Sequence, residues 1–290
     1  MIKFDSQQKD LETKINFMLE SLPVKKIIYC NHGIGDFIVC SRIAKFIGCG
    51  VLQTVCNDMI YRKEFCRELA DIEKITRIEL PLCRNDKLAE KIKSKYKNEI
   101  IHEYNSPKLY YFSKAKNQDE FMFEALSTKF NVEYQPKIKN LVFICPSGSG
   151  SEPDYRRHLY KYELDLIIEK LKSINKTVFL IGIEKDIKNY GFYENVKWVN
   201  SSSIITENEK IEINLEKFIK IISCAEKTIS VNTYFHLLSS VLGIETYVIH
   251  STNRNNESVI TRENEIFFLN MSWSKNKVIA TIPEILNMIS

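Results

Sequence analysis

The sequence predicts an α/β protein of two Rossmann-like domains, each with a parallel sheet, facing a central cleft. Three observations lead there. Short apolar runs of strand length alternate with helical patterns from residue 25 onward, and such alternation implies parallel sheets. The alternation restarts at Leu141, after a stretch at 131–139 that carries Pro136 and two lysines. The length of 290 residues suits two domains at roughly 100–200 residues each. The expected division is 1–138 and 139–290.

Residues 6–22 place Leu11, Ile15, Met18 and Leu22 at helical spacing, and Pro23 ends the segment. This is an N-terminal helix packed on the first domain, with a flexible arm as the alternative. Lys26–Cys30 reads as a buried strand and Cys40–Ile47 as a helix. Val51–Val55 and Lys74–Ile78 read as strands, Leu88–Tyr96 as a helix, Glu99–Glu103 as a strand and Phe121–Phe130 as a helix.

In the second half Leu141–Cys145, Thr177–Ile181, Trp198–Val199, Lys227–Val231, Thr246–His250 and Ile266–Leu269 read as strands. Tyr162–Leu171, Leu215–Cys224, Tyr234–Leu242 and Ile282–Ile289 read as helices, the last with Pro283 in its first turn.

Composition limits the function. Hydrophobic residues make up 44% and charged residues 27%, and the net charge is +4. That balance is that of a globular protein and does not point to nucleic acid as a partner. The 8 cysteines form no CxxC pair and no zinc-finger ladder. Cys30, Cys40, Cys145 and Cys224 read as small buried residues. No segment approaches ~18 uninterrupted apolar residues, and residues 1–24 lack a secretory apolar region. The expected location is the cytoplasm, with reduced thiols. Residues 6–22 are the only stretch suited to a peripheral membrane contact.

Chemistry concentrates at three strand ends. The first is Asn31-His32-Gly33-Ile34-Gly35-Asp36. A strand–turn–helix sequence puts this turn where open α/β sheets bind ligands, and its glycines suit positive φ and close backbone approach. Asp36 either faces that site or caps the helix. The second is Pro146-Ser147-Gly148-Ser149-Gly150, whose backbone N–H groups suit a phosphate. It lacks the ending of a P-loop. Arg156, Arg157, His158 and Lys161 follow, and cations there suit a diphosphate; a solvated basic loop is the alternative. The third is Val231-Asn232-Thr233-Tyr234-Phe235-His236, again joining strand to helix. Glu184, after Gly182, either accepts from ribose hydroxyls or caps a helix.

In order and spacing these pieces resemble the heptosyltransferase family, glycosyltransferase family 9, over roughly residues 25–290. The Gly-Asp turn of that family is matched by Gly33-Ile34-Gly35-Asp36, and its small-residue phosphate turn by Phe143–Ser149. Its Lys/Arg-x-Trp-Pro element reads Arg157-His158-Leu159-Tyr160 here, without the Trp-Pro pair. Its Leu-Leu-Gly-Gly strand end followed by Glu is matched by Leu180-Ile181-Gly182-Ile183-Glu184. Its Asp-Thr/Ser-Gly-x-x-His element is matched loosely by Asn232-Thr233-Tyr234-Phe235-His236, with Asn232 in place of the acid.

The resemblance implies a GT-B fold and transfer of a sugar, a heptose from ADP-heptose, to a hydroxyl on a glycan, glycolipid or protein. It implies inversion, with no metal or other cofactor beside the nucleotide-sugar. Asp36 would be the general base and Arg157, with Lys161 as a second candidate, would neutralise the leaving diphosphate. Ser147, Gly148, Ser149, Gly182, Glu184, Asn232, Thr233 and His236 would line the donor site, and His32, Gly33 and Gly35 the acceptor side. Asn232 motivates an alternative, a nucleotide-sugar-binding protein without turnover. A nucleotide-sugar epimerase or hydrolase is another.

Overall fold

Ile27-Ile28-Tyr29-Cys30 has no polar face to offer water, and all four residues are buried. It forms one of the two inner strands of the first of two sheets in this computed structural model. The structure describes residues 2–30, 33–56, 60–82, 87–96, 100–103, 107–148, 158–231, 233–249, 276–279 and 282–289. The chain divides into two units, Met1–Asn131 and Val132–Ser290.

The first unit runs α1 (Ile2–Ser21), β1 (Ile27–Cys30), α2 (Ile34–Ile47), β2 (Gly50–Cys56), α3 (Ile60–Glu73), β3 (Arg77–Leu82), α4 (Lys87–Tyr96), β4 (Ile101–Glu103), a 3-10 turn (Pro107–Phe112) and α5 (Gln118–Leu126). Its strands lie in the order β3-β2-β1-β4, all parallel. The order reverses between β1 and β4, which is where such sheets open a crevice at their carboxyl ends.

Helix α1 packs on this sheet as expected. Leu11, Ile15, Met18 and Leu22 join Ile27, Tyr29, Leu52 and Leu80 in one core. The fit is close: a Cβ at Gly50 would lie 2.5 Å from the Met18 sulfur. This corrects the reading of 6–22 as a membrane-contact stretch, because the apolar stripe it needs is already buried in protein.

On the other face, α2 and α3 are joined by a buried ion pair, Arg42 with Glu73, both side chains fully enclosed. The Arg42 guanidinium also donates to the carbonyls of Thr128 (3.3 Å) and Lys129 (3.1 Å) and lies 4.1 Å from the Phe130 ring centre. Glu73 accepts from Lys45 (3.0 Å) and from the Asn131 amide (2.7 Å). The end of the first unit is thus held by a buried polar network.

The second unit contains β5 (Leu141–Cys145), α6 (Lys161–Ser173), β6 (Thr177–Ile181), α7 (Glu184–Tyr190), β7 (Lys197–Val199), β8 (Ser203–Ile205), β9 (Lys210–Glu212), α8 (Leu215–Ser223), β10 (Lys227–Val231), α9 (Tyr234–Val241), β11 (Glu245–Ile249), β12 (Asn276–Ile279) and α10 (Ile282–Met288). The sheet order is β12-β11-β10-β5-β6-β7-β8-β9. Six strands are parallel in the doubly wound order, and an antiparallel hairpin, β8–β9, extends one edge.

Several expectations shift. Strand β3 begins at Arg77, not Lys74, because Lys74 takes φ +54° and turns the chain out of α3. Helix α2 begins six residues before Cys40. The stretch expected as a linker is stitched to the second unit, the Ile138 amide bonding the Cys224 carbonyl (2.8 Å) and the Gln135 amide the Ser223 hydroxyl (3.0 Å). The expected strand Ile266–Leu269 lies outside the described residues.

Candidate functional site

Helix α2 starts immediately beyond β1, with Gly33 as its N-cap at φ −78°, ψ 141°. This corrects the expectation of positive φ: neither Gly33 nor Gly35, which lies inside α2, needs the left-handed region. Gly33 is needed for space. A Cβ there would lie 2.6 Å from the Asp36 Oδ2, so the carboxylate folds back over the glycine. Asp36 is not the N-cap. It sits in the first turn, where a negative charge meets the positive end of the helix dipole. Phe37, Ile38 and Cys40 are buried beside it and fix the helix onto the sheet. Burial pushes the Cys30 thiol well up, with its neighbour Cys40 and the Asp36 carboxylate acting in the same direction. His32 lies outside the described residues.

In the second unit the sheet order reverses between β5 and β10. Their carboxyl ends meet: Cys145 Sγ and Thr233 Oγ1 lie 3.6 Å apart. Thr233 is the N-cap of α9, its hydroxyl accepting from the Phe235 amide (3.2 Å). His236 Nδ1 accepts from the Thr233 amide (3.2 Å), so this imidazole helps hold the helix end.

The turn after β5 is pinned at its base. Ser147 and His158 form an antiparallel bridge, and the Leu159 amide donates to the Pro146 carbonyl (2.8 Å). The Tyr190 hydroxyl reaches the carbonyls of both Leu159 (2.7 Å) and Pro146 (3.2 Å). The chain therefore leaves and returns at one place. Ser149, Arg156 and Arg157, between those two feet, lie outside the described residues, as does Asn232.

Residue 186 is the acid that sequence reading passed over. The Ser147 hydroxyl donates to Asp186 Oδ1. The second carboxylate oxygen accepts from the Ile183 amide (2.8 Å), closing the first turn of α7. Gly182 lies beneath it: a Cβ there would meet Trp198 at 2.6 Å and the Asp186 Cβ at 2.8 Å. Glu184 is placed otherwise. Its side chain is 73% exposed and lies 3.4 Å from Lys210 on β9. Only a contact across 39 residues of sequence marks Asp186, and a strand end followed by two acids, Glu184 and Asp186, was the one signal available.

The Lys161 ammonium is engaged elsewhere. It donates to the Tyr190 carbonyl (3.0 Å) and the Tyr193 hydroxyl (3.3 Å) and pairs with Asp165 (3.3 Å). Among the described residues no group of three or more His, Cys, Asp or Glu is placed to hold a metal ion. No described helix is long and apolar enough to cross a membrane.

No protein-family model matches the chain, and no curated protein matches its sequence. Its structure is similar to that of E. coli ADP-heptose LPS heptosyltransferase II, at 10% identity over 91% of this chain and 98% of that one, with a TM-score of 0.50. It is also similar to E. coli heptosyltransferase WaaC with ADP-2-deoxy-2-fluoro heptose, at 10% identity over 91% and 98% of the two chains, with a TM-score of 0.52. The chain thus has the α/β GT-B fold of these heptosyltransferases, with a parallel sheet in each unit.

Proposed function

We propose that this protein is a glycosyltransferase that moves a sugar from a nucleotide diphosphate-sugar to a hydroxyl acceptor, with inversion and without a metal. The observation that carries the reading is the meeting of the β5 and β10 ends at the switch point of the second sheet. There the Ser147 turn and the N-terminus of α9 converge, two elements suited to a diphosphate. A heptose donor, ADP-heptose, is the reading favoured by the sequence resemblance and by the similarity to heptosyltransferase folds.

In this mechanism the acceptor oxygen attacks the anomeric carbon as the bond to the diphosphate breaks. The acceptor proton passes to Asp36, and the nucleoside diphosphate leaves. Backbone N–H groups of the 147–149 turn and the Thr233 end of α9 hold the developing charge, with Arg157 as the cation. His158 returns the chain to Ser147 one residue after Arg157, which supports that role. Asp186, rather than Glu184, is the acid that meets the ribose. A carboxylate has about four acceptor sites, so the two contacts Asp186 makes leave room for a ribose hydroxyl.

The test is a calorimetric panel of ADP, UDP, GDP and the parent nucleosides. A diphosphate at 100 times its Kd should stabilise the fold by about 2.7 kcal/mol. Binding of no nucleoside diphosphate at millimolar concentration would refute the reading.

A further inference from the structure

Helix α9 opens on a capping box closed by an imidazole. Thr233 is the N-cap, its hydroxyl accepting from the Phe235 amide (3.2 Å). Three positions on, His236 answers by accepting from the Thr233 amide at Nδ1 (3.2 Å). That third position ordinarily holds Glu or Gln. The imidazole is 3% exposed, and the His236 carbonyl accepts from Ser240 Oγ (2.6 Å). Thr233 is held by two strands of the sheet as well. Its Oγ1 lies 3.4 Å from Ser230 Oγ on β10 and 3.6 Å from Cys145 Sγ at the end of β5. An amide nitrogen can only donate. Nδ1 therefore carries no proton while this bond stands, and the neutral ring keeps its proton on Nε2.

We propose that His236 is a positioning residue for the α9 end of the nucleotide site, and that it works only as the neutral, Nε2-protonated imidazole, so that acid releases Thr233. This deepens the reading of Thr233 as a diphosphate-binding residue and rests on it. A protonated ring sets a second donor against the Thr233 amide and a positive charge at the positive end of the helix dipole. A glutamate in its place would keep its acceptor down to about pH 4.3. Helix α9 packs on β10 and β11. Lys227 and Glu245 are the first residues of those strands, at the end away from His236, and both reach the Tyr247 hydroxyl (3.3 and 3.0 Å). At the near end stand Tyr234 on α9 itself, Cys145 on β5 and Asp186 on α7. Burial pushes the Cys145 thiol up to about 12, so it stays uncharged where a histidine titrates. The Asp186 carboxylate is bonded to the Ser147 hydroxyl and the Ile183 amide.

The experiment has three readouts. At about pH 7.5, nitrogen-15 NMR of protein labelled at histidine should show His236 bare at Nδ1 and protonated at Nε2, with His236→Gln assigning the signal. A proton on Nδ1 overturns the proposal. Glutamine keeps an acceptor at this position, and leucine, of similar bulk, does not. His236→Leu should melt roughly 2–6 °C below His236→Gln and bind ADP about fivefold more weakly in calorimetry. Equal melting or equal affinity of the two variants overturns it. The third readout is the pH profile. The unfolded imidazole takes a proton below ~6.5 and the capped ring does not, so the stabilisation is complete above ~6.5 and is lost as pH falls. Relative to His236→Gln, the parent melting temperature should drop by roughly 2–5 °C per pH unit below ~6.5. Parallel curves overturn the proposal, and do so even if the leucine variant fails to fold. Failure of the parent protein to bind ADP ends the nucleotide reading instead, and the NMR signal and the pH curves then decide the cap alone.

Discussion

Asp36 occupies the space that a side chain at Gly33 would fill, with its Oδ2 2.6 Å from where that Cβ would be. The backbone at Gly33 is one that alanine adopts freely, φ −78° and ψ 141°. Gly33→Ala should therefore leave stability within about 1 kcal/mol while turning the carboxylate out of place. Melting temperature and sugar transfer, measured on the same variant, should separate: the first nearly constant, the second lost. Equal loss of both would mean that the turn itself has collapsed.

Asp36→Asn isolates the proton. Asparagine keeps the size but cannot accept the acceptor's proton, and loss of a general base slows reaction by ~10²–10⁴-fold. Because Gly33 is the N-cap, the helix start does not depend on a cap at 36. The variant should melt near the parent temperature and bind nucleotide unchanged. Full transfer by this variant removes Asp36 from the mechanism.

The two acids at the end of β6 make opposite predictions. Asp186→Ala deprives the Ser147 hydroxyl and the Ile183 amide of their acceptor and should cost about 1–3 kcal/mol of stability. It should also weaken nucleotide binding in calorimetry. Glu184→Ala breaks one exposed ion pair and should cost under about 1 kcal/mol. If Glu184→Ala proves the more damaging to affinity, the assignment of Asp186 to the ribose is lost.

Some of this was legible in the sequence and some was not, for physical reasons. Strands β5, β6 and β10 have the bounds expected of them, because each is a short run rich in β-branched or apolar residues ended by a turn residue. Strand β3 was misplaced because the positions facing α2 and α3 hold Arg77 and Glu79, and charged residues do not register as apolar periodicity. The β8–β9 hairpin went unread: its strands have three residues each. The turn before it is held by one side-chain oxygen of Asn200, which accepts from the amides of Ser202 (2.9 Å) and Ser203 (2.8 Å). The turns after β1, β5 and β10 were visible as turns because the chain carries small residues where it leaves those strands. Asp186 was not, since its partner comes from another strand.

The Arg42–Glu73 pair should be costly to break on one side. Glu73→Leu leaves the guanidinium enclosed without its carboxylate, and such losses run about 3–5 kcal/mol. Arg42→Met with Glu73→Leu should recover part of that, since an apolar pair often replaces a buried ion pair without penalty. Chemical denaturation of the two single variants and the double one gives the coupling. Strict additivity would show that the two residues do not act as a pair.

Stability should fall at alkaline pH. Burial pushes the thiols of Cys145 and Cys66 up to about 12, whereas an unfolded thiol titrates near ~8.5. The native state then keeps protons that the unfolded state releases. The resulting stabilisation is complete below ~8.5 and is lost as pH rises toward the native values. Each thiol contributes about 1.4 kcal/mol per pH unit in that window. Urea midpoints should decline from pH 8.5 to 10, and less steeply in Cys66→Ala with Cys145→Ala. A decline unchanged in that variant would assign the effect to other groups.

The bridge between Ser147 and His158 has an evolutionary reading. Both feet of the intervening segment are fastened, one to β5 and the other to the entry of α6 through Tyr190. Residues can be added or removed between those feet without disturbing the register of either element, because both anchors lie outside the intervening stretch. Length differences among proteins of this fold should therefore be accommodated there with no change of scaffold.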